Sequence, residues 1–239
     1  MTANNLANVN TTGYKKDNLS FKDTFVMFAH DQMMEPVATV RSDKLFPEPM
    51  HMARPRIAVS HVDFQQGAMR QTGGNLDMAI GGDGFFKLQT PQGEVYTRNG
   101  QFQVTSEGLL TNNRGEPVLG QGGEIAIPPN ARVVVNEAGE ICADGELVDQ
   151  FQIATVEDLT ALEKAGGGGY RLREGSLAQE IPAEDAVVNQ GYLEASNVNV
   201  VEEMVNMIET HRAFEAYQKV ITTSKETDDK LIQKIGTVR

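Results

Sequence analysis

The sequence predicts an α+β fold: terminal helices form an α-helical coiled-coil domain that brackets an all-β central body. Three observations predict it. Residues 197–239 contain no Pro and one Gly, Gly236, and repeat apolar residues at helical spacing. Residues 61–192 alternate short apolar runs with Gly-containing turns. In residues 1–13, Leu6 and Val9 are three apart and Ala3 and Ala7 four apart, which places each pair on one helix face.

The C-terminal element is the longest. Asn199 followed by Glu202 reads as a capping box, with Glu202 and Glu203 at the positive end of the helix dipole. Gly236 suits the left-handed position just past a last turn. The spacing predicts a helix over 200–235, about 54 Å at 1.5 Å per residue. Val200, Met204, Met207, Phe214, Ile221, Ile232 and Ile235 fall on alternating steps of four and three. His211, Gln218, Lys225 and Asp228 interrupt that seam, and Val201, Val205 and Ile208 widen its first half. A 3.5-residue period asks for a helical partner. Residues 1–13 form too short a helix to stand alone, and the long helix is their expected support. The expected assembly contacts are Leu6, Val9, Val200, Met204, Met207, Ile208, Phe214 and Ile221.

Four segments follow. Residues 1–20 are an N-terminal helix that pairs with the C-terminal one. Residues 21–60 are an extended arm interrupted by Pro36, Pro47, Pro49 and Pro55 and dense in Met, a residue that adapts to irregular surfaces. Phe21, Phe25 and Phe28 have helical spacing and suggest a short amphipathic piece within it. Residues 61–192 are the β body and residues 193–239 the C-terminal helical domain. Strands are expected at Phe85–Leu88, Glu94–Thr97, Gln101–Val104, Ile125–Ile127, Arg132–Val135 and Leu147–Ile153. Asn99-Gly100 and Asp144-Gly145 are hairpin signals, because both residue types tolerate positive φ. Glu157 to Lys164 is expected to be one short helix, and Gly166 to Gly169 a tight loop.

The chemistry is marked by what the sequence lacks. Net charge is −12, which disfavours nucleic acid, since phosphate contacts need clustered Lys and Arg. No run approaches the length of a membrane span, so no membrane insertion is expected. Residues 1–12 are polar and Asn-rich, unlike a cleaved signal peptide. Cys142 stands alone, and His30, His51, His61 and His211 share no metal-ligand spacing. Catalytic, cofactor and metal sites are therefore all expected to be absent. Gly81–Gly84 and Gly120–Gly123 read as turns, since neither opens a helix after a strand as a phosphate loop does. A carbohydrate-binding protein or glycosidase built on the β body is the alternative. With no Trp and 6% aromatic residues, a sugar-stacking platform is disfavoured.

Four motifs carry a resemblance. Ala3-Asn4-Asn5-Leu6-Ala7-Asn8-Val9-Asn10-Thr11-Thr12-Gly13-Tyr14-Lys15 resembles the N-terminal signature of bacterial flagellar rod and hook proteins. Leu76-Asp77-Met78-Ala79-Ile80-Gly81-Gly82-Asp83-Gly84-Phe85-Phe86 and Tyr96-Thr97-Arg98-Asn99-Gly100-Gln101-Phe102 resemble that family's central motifs. Leu193 to Met204, with Arg212-Ala213-Phe214-Glu215, resembles its C-terminal motif. Within the family the likeness is to the proximal-rod branch, with the distal-rod branch next. The resemblance implies a structural subunit that polymerises with other flagellar rod subunits into a helical drive shaft. It also implies export through the flagellar type III apparatus without a cleaved signal, to the periplasmic rod. Family members usually begin earlier, with a further helix rich in Ala, Gly and Met. That departure bears on both inner-tube packing and the export signal.

Overall fold

The computed structural model describes residues 1–27, 51–129, 131–183 and 185–236, with side chains over 1–19, 60–129, 131–183, 185–230 and 232. The chain divides into two compact units: Met1–Lys16 with Val62–Arg239, and Asp17–His61. In chain order the elements begin with α1 (Thr2–Ala7), β1 (Asp17–Met27), β2 (His51–Val62), β3 (Met69–Gln71) and β4 (Met78–Gly81). Then come β5 (Phe85–Thr90), β6 (Gly93–Thr97), β7 (Phe102–Val104), β8 (Leu110–Asn112), β9 (Leu119–Gly120) and β10 (Gly123–Glu124). β11 (Val133–Val135), β12 (Glu140–Ala143), β13 (Glu146–Gln150) and β14 (Ile153–Val156) follow. Last are β15 (Leu162–Gly166), β16 (Gly169–Leu172), β17 (Glu180–Pro182), β18 (Val187–Gln190), β19 (Tyr192–Glu194) and α2 (Val200–Gly236).

The smaller unit holds β1 and most of β2, which pair as a two-stranded sheet. Pro55 is tolerated in β2 because both strands of such a sheet are edges. In the larger unit the central sheet has six antiparallel strands in the order β15-β16-β6-β5-β14-β17. A three-stranded sheet, β11-β12-β13, and the pairs β18–β4, β19–β3, β7–β8 and β10–β9 complete it.

Both faces of the six-stranded sheet are covered, and adjacent residues of β5 show how. Successive strand residues point to opposite faces. Phe86 and Leu88 enter a core with Phe102, Ile125, Ile141 and Phe151, and Phe85 enters a second core with Tyr96, Leu162 and Tyr170. Lys87 shares the Phe85 face and is buried, with its ammonium 2.6 Å from Glu94 and 3.0 Å from Glu180.

Several expectations are corrected. The fold is mostly β, with one short N-terminal and one long C-terminal helix, and the terminal helices form no coiled-coil domain. The six residues of α1 fall short of one heptad, so they cannot supply a facing seam. Every α2 side chain described from Ile208 to Lys230 is exposed. Phe21 and Phe25 lie in a strand; a spacing of four keeps two residues on one face in either period. Phe28 lies outside the described residues, as do Pro36, Pro47 and Pro49. Glu157 to Lys164 is not one helix. A 3₁₀ turn, Leu159–Ala161, is capped where the Asp158 carboxylate accepts from the Thr160 N–H at 2.9 Å, and β15 starts at Leu162, which the second core buries. Ile125 to Ile127 make no regular strand, yet they keep the alternation: Ile125 and Ile127 are buried around an Ala126 bridge to Leu109.

Candidate assembly interface

The helix α2 has a root and a shaft. At the root, Asn199 Oδ1 accepts from the backbone N–H of Val201 at 3.1 Å and of Glu202 at 3.5 Å, the N-cap half of the expected box. Glu202 is drawn elsewhere. Its Oε1 accepts from Lys16 Nζ at 3.1 Å, and Glu203 Oε1 is 3.1 Å from the same ammonium. The Lys16 backbone N–H donates to Asn197 Oδ1 at 2.8 Å, and the Asn197 amide donates to the Asp63 carbonyl at 2.8 Å. Burial works to lower the Lys16 pKa, but its bonds to Glu203 and Glu202 outweigh that and hold it above the usual lysine value.

Beyond the root the shaft is bare. Phe214 is 58% exposed and Tyr217 71%, and Met204, Ile208, Val220, Ile221 and Ile232 are also exposed. Of the other expected contacts, Val200 and Met207 on α2, Leu6 in α1 and Val9 just after it are half-buried. Met207, Phe214 and Ile221 are seven apart and share one stripe, which drifts slowly around a straight helix. The hydroxyls of Thr210, Thr223 and Thr227 donate back to carbonyls four residues earlier at 2.7–2.8 Å, so these three are satisfied locally. The apolar stripe has no such local remedy.

Beneath the root lies a buried charge cluster that sequence reasoning missed. The Glu194 side chain is 0% and the Lys15 side chain 1% exposed, with Nζ and Oε1 2.5 Å apart. Arg98, also buried, approaches Glu194 Oε2 at 3.4 Å and donates to the carbonyls of Ile80 at 3.3 Å and Gly82 at 2.8 Å. The Gly67 N–H donates to Glu194 Oε1 at 2.9 Å, and Lys15 Nζ to the Gln65 carbonyl at 2.7 Å. Burial pushes the Lys15 ammonium below its usual pKa, against the pull of Glu194. Tyr14 packs beside this cluster. Its hydroxyl is 2.8 Å from Asn4 Oδ1 and 3.2 Å from Asn5 Oδ1, and the Lys164 ammonium lies 4.3 Å from its ring centroid. The only sequence signal was a charged residue between Leu193 and Ala195, at the end of a short strand.

Close approach explains two glycines here. A Cβ at Gly100 would meet the Met78 carbonyl oxygen at 1.8 Å. Gly100 is not left-handed, so Asn99-Gly100 is no hairpin of the expected kind. A Cβ at Gly13, at φ +68°, would sit 2.5 Å from the backbone of Arg98 and Asn99. Among the described residues, no group of three His, Cys, Asp or Glu side chains is placed to hold a metal ion, and no helix is long and apolar enough to cross a membrane.

Comparison with known proteins shows the family. Residues 1–15 match the family model for "Flagella basal body rod protein", 79–143 that for "Flagellar hook protein FlgE/F/G D1 domain", and 189–234 that for "Flagellar basal body rod FlgEFG protein C-terminal". The flagellar basal-body rod protein FlgF of Caulobacter vibrioides is 34% identical over all of this chain and 91% of its own length. The chain belongs to the flagellar basal-body rod protein family. Rod proteins FlgG of Buchnera aphidicola subsp. Schizaphis graminum and of Bacillus subtilis are 34% and 33% identical over 98% and 96% of this chain, and 91% and 90% of their own lengths. The chain is thus a structural rod subunit of the flagellar basal body. Each of the three matched regions contributes to the buried cluster: Lys15 from the first, Arg98 from the second and Glu194 from the third.

Proposed function

We propose that this rod subunit joins its neighbours through the shaft of α2. Met204, Met207, Ile208, Phe214 and Ile221 form the contact stripe, with Val200, Leu6 and Val9 at its base. The observation that carries this reading is the exposure of Met204, Ile208, Phe214 and Ile221 along a single helix while the β body keeps its own cores closed. Large exposed apolar patches mark interaction sites, and burial is worth about 25 cal/mol per Å² of apolar area. The subunit belongs to the proximal rod, a reading supported by the FlgF relative that covers the whole chain; the FlgG relatives keep the distal rod as the alternative. It passes through the flagellar type III apparatus to the periplasmic part of the rod. Segments 1–20 and 193–239 act as the assembly ends, 21–60 as an arm and 61–192 as the outer body.

Phe214→Ala tests the reading in cells. It removes the bulkiest side chain of the stripe and touches nothing in the β body. The expected result is a normally expressed, folded subunit, short or missing rods, and lost motility. Normal rods and swimming would overturn the assignment of the stripe.

A further inference from the structure

We propose that Glu194 is a positioning residue that couples the docking of segment 1–16 to the aim of α2. Its carboxylate serves two buried cations from distant parts of the chain, Lys15 and Arg98. A buried ion that loses its partner is costly, so none of the three charges has a comfortable place without the others. Backbone bonds around the same residue tie in further segments. The Gly13 N–H donates to the Glu194 carbonyl at 2.8 Å, and the Ala195 N–H to the Ala68 carbonyl at 2.9 Å. Five residues after Glu194, Asn199 caps α2, and Lys16, next to Lys15, holds the first-turn carboxylates. The ion pairs of the cluster therefore form only when segment 1–16, the strap at 65–68, the Arg98 loop and the α2 root are all in place. Undocking segment 1–16 strands Glu194 beside Arg98 alone and releases the Lys16 clamp in the same event. Two sites that gain from one shared state are coupled, and the coupling runs both ways. The consequence for rod building rests on α2 being the assembly element; the coupling itself does not.

The test is made on the full-length monomer, so a failure of α2 to build rods would leave both readouts intact. Spin labels at Lys219→Cys on the shaft and Leu147→Cys on β13, in a Cys142→Ser background, report the aim of α2 as the width of one distance distribution. Hydrogen exchange reports docking of segment 1–16. The native cluster gives a narrow distribution and slow exchange at Gly13 and Lys16, whose N–H groups donate to the Glu194 carbonyl and to Asn197 Oδ1. Glu194→Gln removes the counter-charge the two cations share, leaving Lys15 only the pull of Asp63 and Arg98 mainly that of Asp83. It should broaden the distribution and speed exchange over 13–16 by about a hundredfold, while strands β5, β6 and β14 keep native protection. Adding Lys15→Met to Glu194→Gln removes one stranded cation and should recover most of both losses, which a generic packing defect would not. Gly67→Ala changes no charge but sets a Cβ 1.9 Å from the Ala195 carbonyl oxygen, and should produce the same paired effects. Native width and exchange in Glu194→Gln would overturn the proposal. So would loss of protection across the whole β body, since the residue would then be a determinant of folding rather than of aim.

Discussion

The root and the shaft of α2 belong to one continuous helix, yet they meet opposite surroundings. At the root Glu203 is 1% exposed, clamped by Lys16 and underlain by the Glu194 cluster. Two turns later every described side chain faces solvent, Phe214 and Tyr217 included. Helix propensity and the backbone hydrogen-bond ladder carry the shaft; tertiary contacts carry the root. Charge and hydrogen bonding fix where this helix starts and points, and an apolar stripe is left over for others to cover. A substitution at the root should therefore be felt by the monomer, and one on the shaft only by the assembly.

The sharpest way to break that contrast is a pair of aromatic truncations. Phe86 is wholly buried, with ring centroids 5.1 Å from Phe102 and 5.3 Å from Phe151. Phe86→Ala should cost about 3–5 kcal/mol in urea unfolding of the monomer. Phe214→Ala should change the same measurement by less than about 0.5 kcal/mol. Next in size is Gly100→Ala, whose Cβ collides with the Met78 carbonyl; denaturant midpoints should show a loss of about 1–3 kcal/mol. Asn199→Ala removes the cap and should lower stability by about 1 kcal/mol, with faster exchange confined to the first turn of α2.

The smallest effect is pH-dependent. Lys16 holds its proton more tightly folded than unfolded. Its contribution is whole below the ordinary lysine value of 10.5 and disappears as the pH rises through the raised folded value. The stability difference between the native chain and Lys16→Met, about 0.5 kcal/mol, should stay flat up to pH 10 and shrink beyond it. A difference that instead grew on acidification toward neutrality would show that the clamp acts through something other than the lysine proton.

The same contrast explains what was legible in the sequence. The long helix was, because 37 residues with an N-cap, early acids and a terminal Gly leave little else to form. Most strands of the body were legible from alternation and turn glycines such as Gly93, Gly108 and Gly139, all left-handed in the structure. Period failed where it was ambiguous: Phe21 and Phe25 fit a helix or a strand equally well. The coiled-coil domain was over-read, because a seam in one helix says that a partner is wanted and not that the same chain supplies it. Of the Glu194 cluster only one charge between two apolar residues was legible. Its charges lie 83, 96 and 179 residues apart, and only the fold makes them neighbours. Lys15, Arg98 and Glu194 each look like an ordinary surface charge until they are found buried.

The central claim is that the shaft is an unfinished surface completed by neighbouring subunits. Hydrogen exchange of α2 in the dilute full-length monomer, set beside the same subunit in isolated rods, tests it most directly. Residues 210–230 should exchange fast in the monomer and slowly in the rod, with the root at 200–204 protected in both. A shaft already protected in the monomer, or still unprotected in the rod, would contradict it.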